Sequence, residues 1–202
     1  MYKPLIIIGA GGQGKVVLDT ALKAGFTVIG FLEDDINKCN VLGYNCLGTI
    51  SKIYYFSDDN LFVCAIGENS IRMKLDALKQ IEWATIVHPS SIISIDVQIG
   101  CGSVVMAGSV INASASIGRH CIINTNAVIE HDCVISDYAH ISPSSVLCGG
   151  VNIGNQVWIG AGAIIKNCIS ICSETIIGAG AVVVKNINES GVYLGIPARR
   201  IK

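Results

Sequence analysis

The chain is short of charge. Only 14% of its 202 residues are Asp, Glu, Lys or Arg, and the formal net charge is −1. A general nucleic-acid binder needs a basic excess to displace counterions from phosphates, so that class is excluded. Disorder is excluded as well, because 51% of the residues are hydrophobic, with Ile and Val prominent. None of the nine cysteines stands in a Cys-x-x-Cys pair and their number is odd, so neither a zinc site nor a disulfide framework is indicated. Reduced thiols, a cytoplasmic location and no metal are the expectation. Met1 to Leu5 runs directly into Ile6-Ile7-Ile8-Gly9, which lacks the length of a signal peptide. Val97 to Gly118 carries no charge over 22 residues, long enough to cross a bilayer. Its serines, glycines and Asn112 lie inside a regular repeat, so no membrane span is expected.

That repeat sets the architecture. Stepping by six from Ile93 to Val183 meets 16 consecutive aliphatic residues, among them Ile111, Ile129, Leu147 and Ile165. Two places before each, the residue is usually small or β-branched, as at Ala115, Cys121, Ala127, Cys133 and Ala139. A period of six fits neither 3.6 nor simple alternation, but it fits a triangular β-helix with one hexapeptide per side. The aliphatic column points inward and the small residues leave room at the corners. Eighteen residues then make a coil, and 93–183 holds about five coils.

Residues 1–85 read differently. Lys3–Gly9 has a buried-strand pattern, Gly14–Ala24 helical spacing closed by Gly25, and Thr27–Leu32 a second strand. Leu61–Ile66 reads as a further strand and Ser70–Gln80 as a helix. The order predicts a small parallel α/β domain, Rossmann-like, joined to a β-helix domain of residues 86–202. Gly9-Ala10-Gly11-Gly12-Gln13-Gly14 fits G-x-G-x-x-G between strand and helix, with Asp34 and Asp35 about 20 residues on. Half a dinucleotide fold suits one mononucleotide or a nucleotide-sugar better than NAD; glycines serving only a tight turn are the alternative. Val16 stands where a P-loop needs Ser or Thr for Mg²⁺, which removes the ATPase reading.

Within the coils the densest polar stretch is Asn124 to Cys133, which carries His131 between Glu130 and Asp132. An imidazole between carboxylates titrates near neutrality and suits a general base. One coil further on stands Gly149, placed in the same column about 4.8 Å away. A base beside a side-chain-free N–H is what acyl transfer requires, the N–H receiving the oxyanion. His140 lies half a coil beyond His131 and reaches that site only from an adjacent chain or across a corner. His88 and His120 have no supporting pattern. Cys121 and Cys133 fall on inward positions, so direct transfer is favoured over an acyl-enzyme.

The segments IIIGAGGQGKVV, GFLEDD, AIGENSIR, IVHPSS, NTNAVIEHDC and GIPARR, together with the hexapeptides, resemble the NeuD/PglD-type sugar acyltransferases over nearly the whole chain. The resemblance implies left-handed coils, a homotrimer and acetyl-CoA as cosubstrate. It also implies acetylation of the 4-amino group of a UDP- or dTDP-linked deoxysugar, or else of a sialic acid hydroxyl. It assigns His131 as base, Asp132 as its support, Gly149 N–H to the thioester oxygen, and Asn124 and His140 to the site lining. Gly9, Gly11, Gly12, Gly14 and Asp34 or Asp35 would hold the nucleotide-sugar, with Gly67 and Asn69 counted alongside them. Gln13 stands where many members have a histidine, and Asp132 where some have Glu. Lys185 and Arg199, with His140 and Gly149, are the residues expected to meet CoA, the cations near its phosphates.

Overall fold

The computed structural model describes residues 3–38 and 40–202. The N-terminal sheet has strands β1 (Leu5–Ile8), β2 (Val28–Leu32), β3 (Asn40–Val41), β4 (Tyr44–Gly48) and β5 (Leu61–Cys64), with helices α1 (Gly12–Lys23) and α2 (Asn69–Asp76). Their order is β3-β4-β2-β1-β5, parallel except for β3, so the chain reverses direction across the sheet at β1. Open sheets of this order leave a crevice at the carboxyl ends of the strands beside the reversal. All four residues of β1 are buried, in keeping with a strand covered on both faces. The β3–β4 hairpin and the 3₁₀ turns Ile36–Lys38 and Ile50–Tyr55 are additions to the sequence reading. Helix α2 ends at Asp76, short of the expected Gln80, and the Asp76 carboxylate accepts hydrogen bonds from Arg119 and Tyr138 of the second half of the chain.

From Ile86 onward the chain is a parallel β-solenoid. Two-residue strands recur every six residues and pair with strands 18 residues away, building three sheets of 8, 6 and 5 strands. The sheet that starts at Ile92–Ile93 and ends at Val182–Val183 has six strands, hence five coils between its ends. The aliphatic column is inside, fully buried from Ile111 to Ile177, and Cys121, Ala127, Cys133 and Ala139 fill the corners beside it. Each corner needs one residue of positive φ, and these recur every sixth position from Asp96 to Gly180, Asp132 among them. Left-handed conformations cost an ordinary residue about 1 kcal/mol or more, offset here by an unbroken hydrogen-bond ladder. The uncharged run 97–118 is spread over the coil faces, and no helix among the described residues is long and apolar enough to cross a membrane.

The two halves share a core. Val17, Leu18 and Ala21 of α1 pack with Val104, Met106 and Ile122, side chains that a free solenoid face would leave to solvent. A second cluster on the far side of the sheet joins Ile6, Ile8, Phe62, Cys64 and Leu75.

Candidate active site

The glycine loop runs from the end of β1 into α1, and its glycines do separate jobs. Gly9 has φ +100°, and a Cβ there would meet Ile66 Cγ1 at 2.8 Å. Gly14 lies against Gly9 O, where a Cβ would stand at 2.3 Å, so helix and strand approach more closely than any other residue permits. Gly11 and Gly12 have open space where side chains would be, and no side chain caps the helix. The N-terminus of α1 therefore offers free backbone N–H groups to an anion. They face a cleft of about 340 Å³ that Lys15 and Lys38 also line. Gln13 Nε2 is shielded from solvent without a hydrogen-bond partner among the described residues.

Three carboxylates follow β2, and the first is the one that meets the loop. Glu33 accepts from Ala10 N (2.8 Å) and Asp35 N (3.0 Å), tying the loop to the end of β2. Asp34, expected near the nucleotide, caps the Ile50 turn by accepting from Ile50 N (2.9 Å). Asp35 accepts from Asn37 N and pairs with Lys38. Glu33 was missed because spacing alone does not distinguish three neighbouring acids. Its signal is its place as the first residue after the strand.

His131 and Asp132 occupy a coil corner. The left-handed φ of Asp132 turns its carboxylate back on the ring, Oδ2 lying 2.7 Å from His131 Nδ1. This hydrogen bond raises the His131 pKa above its ordinary value, with the Asp132 and Glu130 charges adding to it. With Nδ1 donating, Nε2 holds the free lone pair. Nε2 sits over Gly149, whose Cβ would stand 2.6 Å away. Only glycine leaves the ring that position. The Gly149 N–H has no backbone acceptor among the described residues.

Asn124 and His140 form a second cluster on the face of the eight-stranded sheet. Asn124 Nδ2 lies 3.2 Å from His140 Nε2, and the His140 ring stacks on Trp158 at 5.7 Å and 3°. Trp158 in turn donates from Nε1 to Ser142 Oγ (2.9 Å). The Gly67 backbone lies beside the His140 ring, and a Cβ at Gly67 would meet nothing. Burial, then the Arg72 charge, pushes the His140 pKa down to about 4, so the ring is neutral. Trp158 was not picked out in the sequence, where it reads as one more outward residue. One chain does not join this cluster to His131 among the described residues: the first is hydrogen-bonded on its sheet face and the second at its corner.

Asn69 has structural partners in this fold. Expected to touch substrate, it is buried, with Oδ1 accepting from Arg72 Nη2 and Nδ2 donating to Gln156 O, both at 2.8 Å. It ties α2 to the solenoid. His120 has no exposed surface, packs edge-on against Trp83 and has Nε2 3.1 Å from Asp76 Oδ1. Burial of Cys121 pushes its thiol pKa up to about 12, which keeps it unreactive.

The expected CoA cations do meet. Lys185 and Arg199 line one cavity of about 300 Å³ with Tyr193 and Ala198, where the hairpin of Val192–Leu194 and Arg199–Arg200 closes the solenoid. Arg200 is paired with Glu189 (2.9 Å), whereas Arg199 makes no ion pair among the described residues. Lys185 stands at the corner three coils beyond His131, roughly 14 Å along the solenoid at about 4.8 Å per strand. Among the described residues no group of three or more His, Cys, Asp or Glu is arranged for a metal ion.

Comparison with known proteins adds to this. A family model described as the PglD N-terminal domain matches residues 4–76, and one described as bacterial transferase hexapeptide (six repeats) matches residues 96–131. The chain is 38% identical over 109 residues to a UDP-N-acetylbacillosamine N-acetyltransferase of Bacillus subtilis, covering 50% of each protein. The matches span 20% and 50% of the lengths of the two curated relatives. Among solved structures, the acetyltransferase domain of PglB from Neisseria gonorrhoeae in complex with acetyl coenzyme A has a TM-score of 0.95 at 33% identity, with 100% of both chains covered. PerB from Caulobacter crescentus, in complex with CoA and GDP-perosamine, has a TM-score of 0.94 at 36% identity, covering 100% of this chain and 99% of that one. This likeness gives the solenoid its left-handed sense.

Proposed function

The chain belongs to the NeuD/PglD-type sugar acyltransferase family, and from that premise we propose that it transfers acetyl from acetyl-CoA to the 4-amino group of a nucleotide-linked amino-deoxysugar. The observation that carries the reading is the Asp132–His131–Gly149 constellation: a base held in one tautomer, its free nitrogen above a residue with no side chain and an unused N–H.

In this reading His131 Nε2 takes a proton from the sugar amine as the amine nitrogen attacks the thioester carbonyl. The Gly149 N–H receives the developing oxyanion. The C–S bond then breaks, and CoA leaves as the thiol, accepting the proton from the imidazolium. Asp132 holds the ring and stabilises its charged form. The pantetheine arm follows the corner from His131 toward Lys185 and Arg199, which meet the CoA phosphates. Residues 1–85 hold the nucleotide, its diphosphate on the Gly11 and Gly12 N–H groups near Lys15 and the Gln13 amide. Residues 86–202 carry out acyl transfer. UDP and dTDP are the nucleotides implied at the level of the family; the GDP-perosamine complex of PerB brings GDP into the panel.

A homotrimer completes the site in this reading. His131 stands at a corner and the Asn124–His140 pair on the face of the eight-stranded sheet, and a second copy brings one chain's base to another's pair. Trp158, Ile164 and Ile176 are exposed on the outer faces at 42%, 42% and 38%, which favours a partner there.

The test is acetyl transfer to UDP-, dTDP- and GDP-linked 4-amino-deoxysugars and to sialic acid, read by mass spectrometry, with His131→Ala alongside. Amino-sugar product, with turnover reduced about 10²- to 10⁴-fold in the variant, is the expected result. Acetylation of sialic acid alone, or an undiminished variant, overturns it.

A further inference from the structure

Arg72 is the largest fully buried side chain among the described residues, 1% exposed, and no part of the mechanism above uses it. Among the described residues its guanidinium meets no carboxylate. Nε donates to His120 O (2.8 Å). Nη1 donates to Ile66 O (3.1 Å) and Gly67 O (2.8 Å). Nη2 donates to Asn69 Oδ1 (2.8 Å), Tyr138 O (2.6 Å) and Ala139 O (3.3 Å). The five N–H groups of an arginine thus serve six acceptors, none of them charged. Burying a cation this way is costly unless every donor is matched, and a hydrophobic side chain would fill the same volume without that cost. What the cation supplies is geometry, because a rigid planar fork fixes all the carbonyls it binds relative to one another.

The backbone carbonyls among them flank the nucleotide loop and His140. Ile66 packs against Gly9, the first glycine of the nucleotide loop, and Gly67 lies beside His140. Ala139 immediately precedes His140, while His120 and Tyr138 are the matching corner residues of successive coils. An unbroken path of contacts runs from Gly9 through Ile66 and Arg72 to His140.

We propose that Arg72 is a positioning residue that locks the carboxyl edge of the nucleotide-binding sheet onto the solenoid rung carrying His140, so that nucleotide and His140 are held in one geometry. The inference rests on the nucleotide-sugar reading of the N-terminal cleft. Its neutralising pressure on His140 is a second consequence of the same placement.

The experiment compares wild type, Arg72→Lys and Arg72→Met by calorimetric titration with UDP, dTDP and GDP. KM values for the amino-sugar nucleotide and for acetyl-CoA are measured separately, well below each variant's Tm. R72K keeps the charge with three donors and is the variant expected to fold if R72M does not. Misplacement by about 1 Å costs up to a hundredfold in a positioned site. The expected result is nucleotide affinity weakened roughly tenfold or more in R72K with a smaller change in KM for acetyl-CoA, and a greater loss in R72M if it folds. A lower Tm with nucleotide affinity and both KM values unchanged makes Arg72 purely structural and overturns the proposal. Wild-type protein that binds none of the three nucleotides refutes the nucleotide reading itself, and the proposal falls with it.

Discussion

Gly149→Ala is the sharpest probe of the reaction geometry. The added Cβ would stand 2.6 Å from His131 Nε2 and 2.7 Å from Cε1, whereas ordinary contact begins near 3.4 Å, so the ring must retreat by about 0.8 Å. The ring is the exposed end of a flexible side chain, so it yields and the coil does not. Gly149 does not have positive φ, and alanine fits its backbone without strain. Stability should therefore stay within about 0.5 kcal/mol of wild type. Turnover should fall on the order of a hundredfold, because a reacting group displaced by nearly 1 Å loses its attack geometry. The neighbouring Gly150→Ala is the matched control. Gly150 has φ +70° with Cys168 Sγ 3.4 Å from its Cβ position, so alanine there should cost about 1 kcal/mol or more and leave His131 undisturbed. The assay pairs thermal unfolding with kcat for acetyl transfer read by mass spectrometry. One variant should lose rate and keep stability; the other should do the reverse. G149A turning over at the wild-type rate would refute the placement of the reaction at His131 Nε2.

Three further outcomes follow from the same geometry. Asp132→Asn removes the carboxylate that raises the His131 pKa, so the acid limb of the kcat/KM–pH profile should move to lower pH while its plateau falls; an unmoved limb would separate His131 from the rate. His140 is held neutral to about pH 4 in the folded chain but takes up a proton near pH 6.5 when unfolded. Over that window the unfolded state binds more protons, so stability falls with falling pH, and Tm measured from pH 7 to 4.5 should decline less steeply in His140→Asn. Replacing Lys185 and Arg199 together by Ala should raise KM for acetyl-CoA roughly tenfold or more and leave KM for the nucleotide-sugar alone, since charge-assisted hydrogen bonds contribute about 1.5–3 kcal/mol; an equal rise in both would place CoA elsewhere.

Much of this molecule is local in origin and was therefore legible in the chain. A hexapeptide coil specifies itself, because each aliphatic residue from Ile111 to Ile177 needs only its counterpart 18 residues away, and the number of coils follows by counting. The stacking of His131 on Gly149 follows from the same arithmetic, as does the inward burial of Cys121 and Cys133. The glycine loop announced itself by spacing, although the close approach of Gly14 to Gly9 O is a fact of packing.

What the tertiary structure decided lies where the two halves meet. Asn69 looked like a substrate contact, and only the fold of α2 against the solenoid turned its amide to Arg72 and Gln156. Arg72, an unremarked cation in a polar helix, became the fixed centre of six hydrogen bonds from segments as far as 67 residues away. Glu33 outranked Asp34 and Asp35 because the end of β2 aims one carboxylate at the loop and the others away. Trp158 follows His140 by the same 18-residue spacing, and the tertiary structure added only that the two rings stack. The physical reason for Asn69 and Arg72 is the docking of the two halves. Periodicity encodes contacts between equivalent positions of a repeat, whereas contacts between a repeat and a separate domain depend on how two surfaces dock, which no spacing along the chain records.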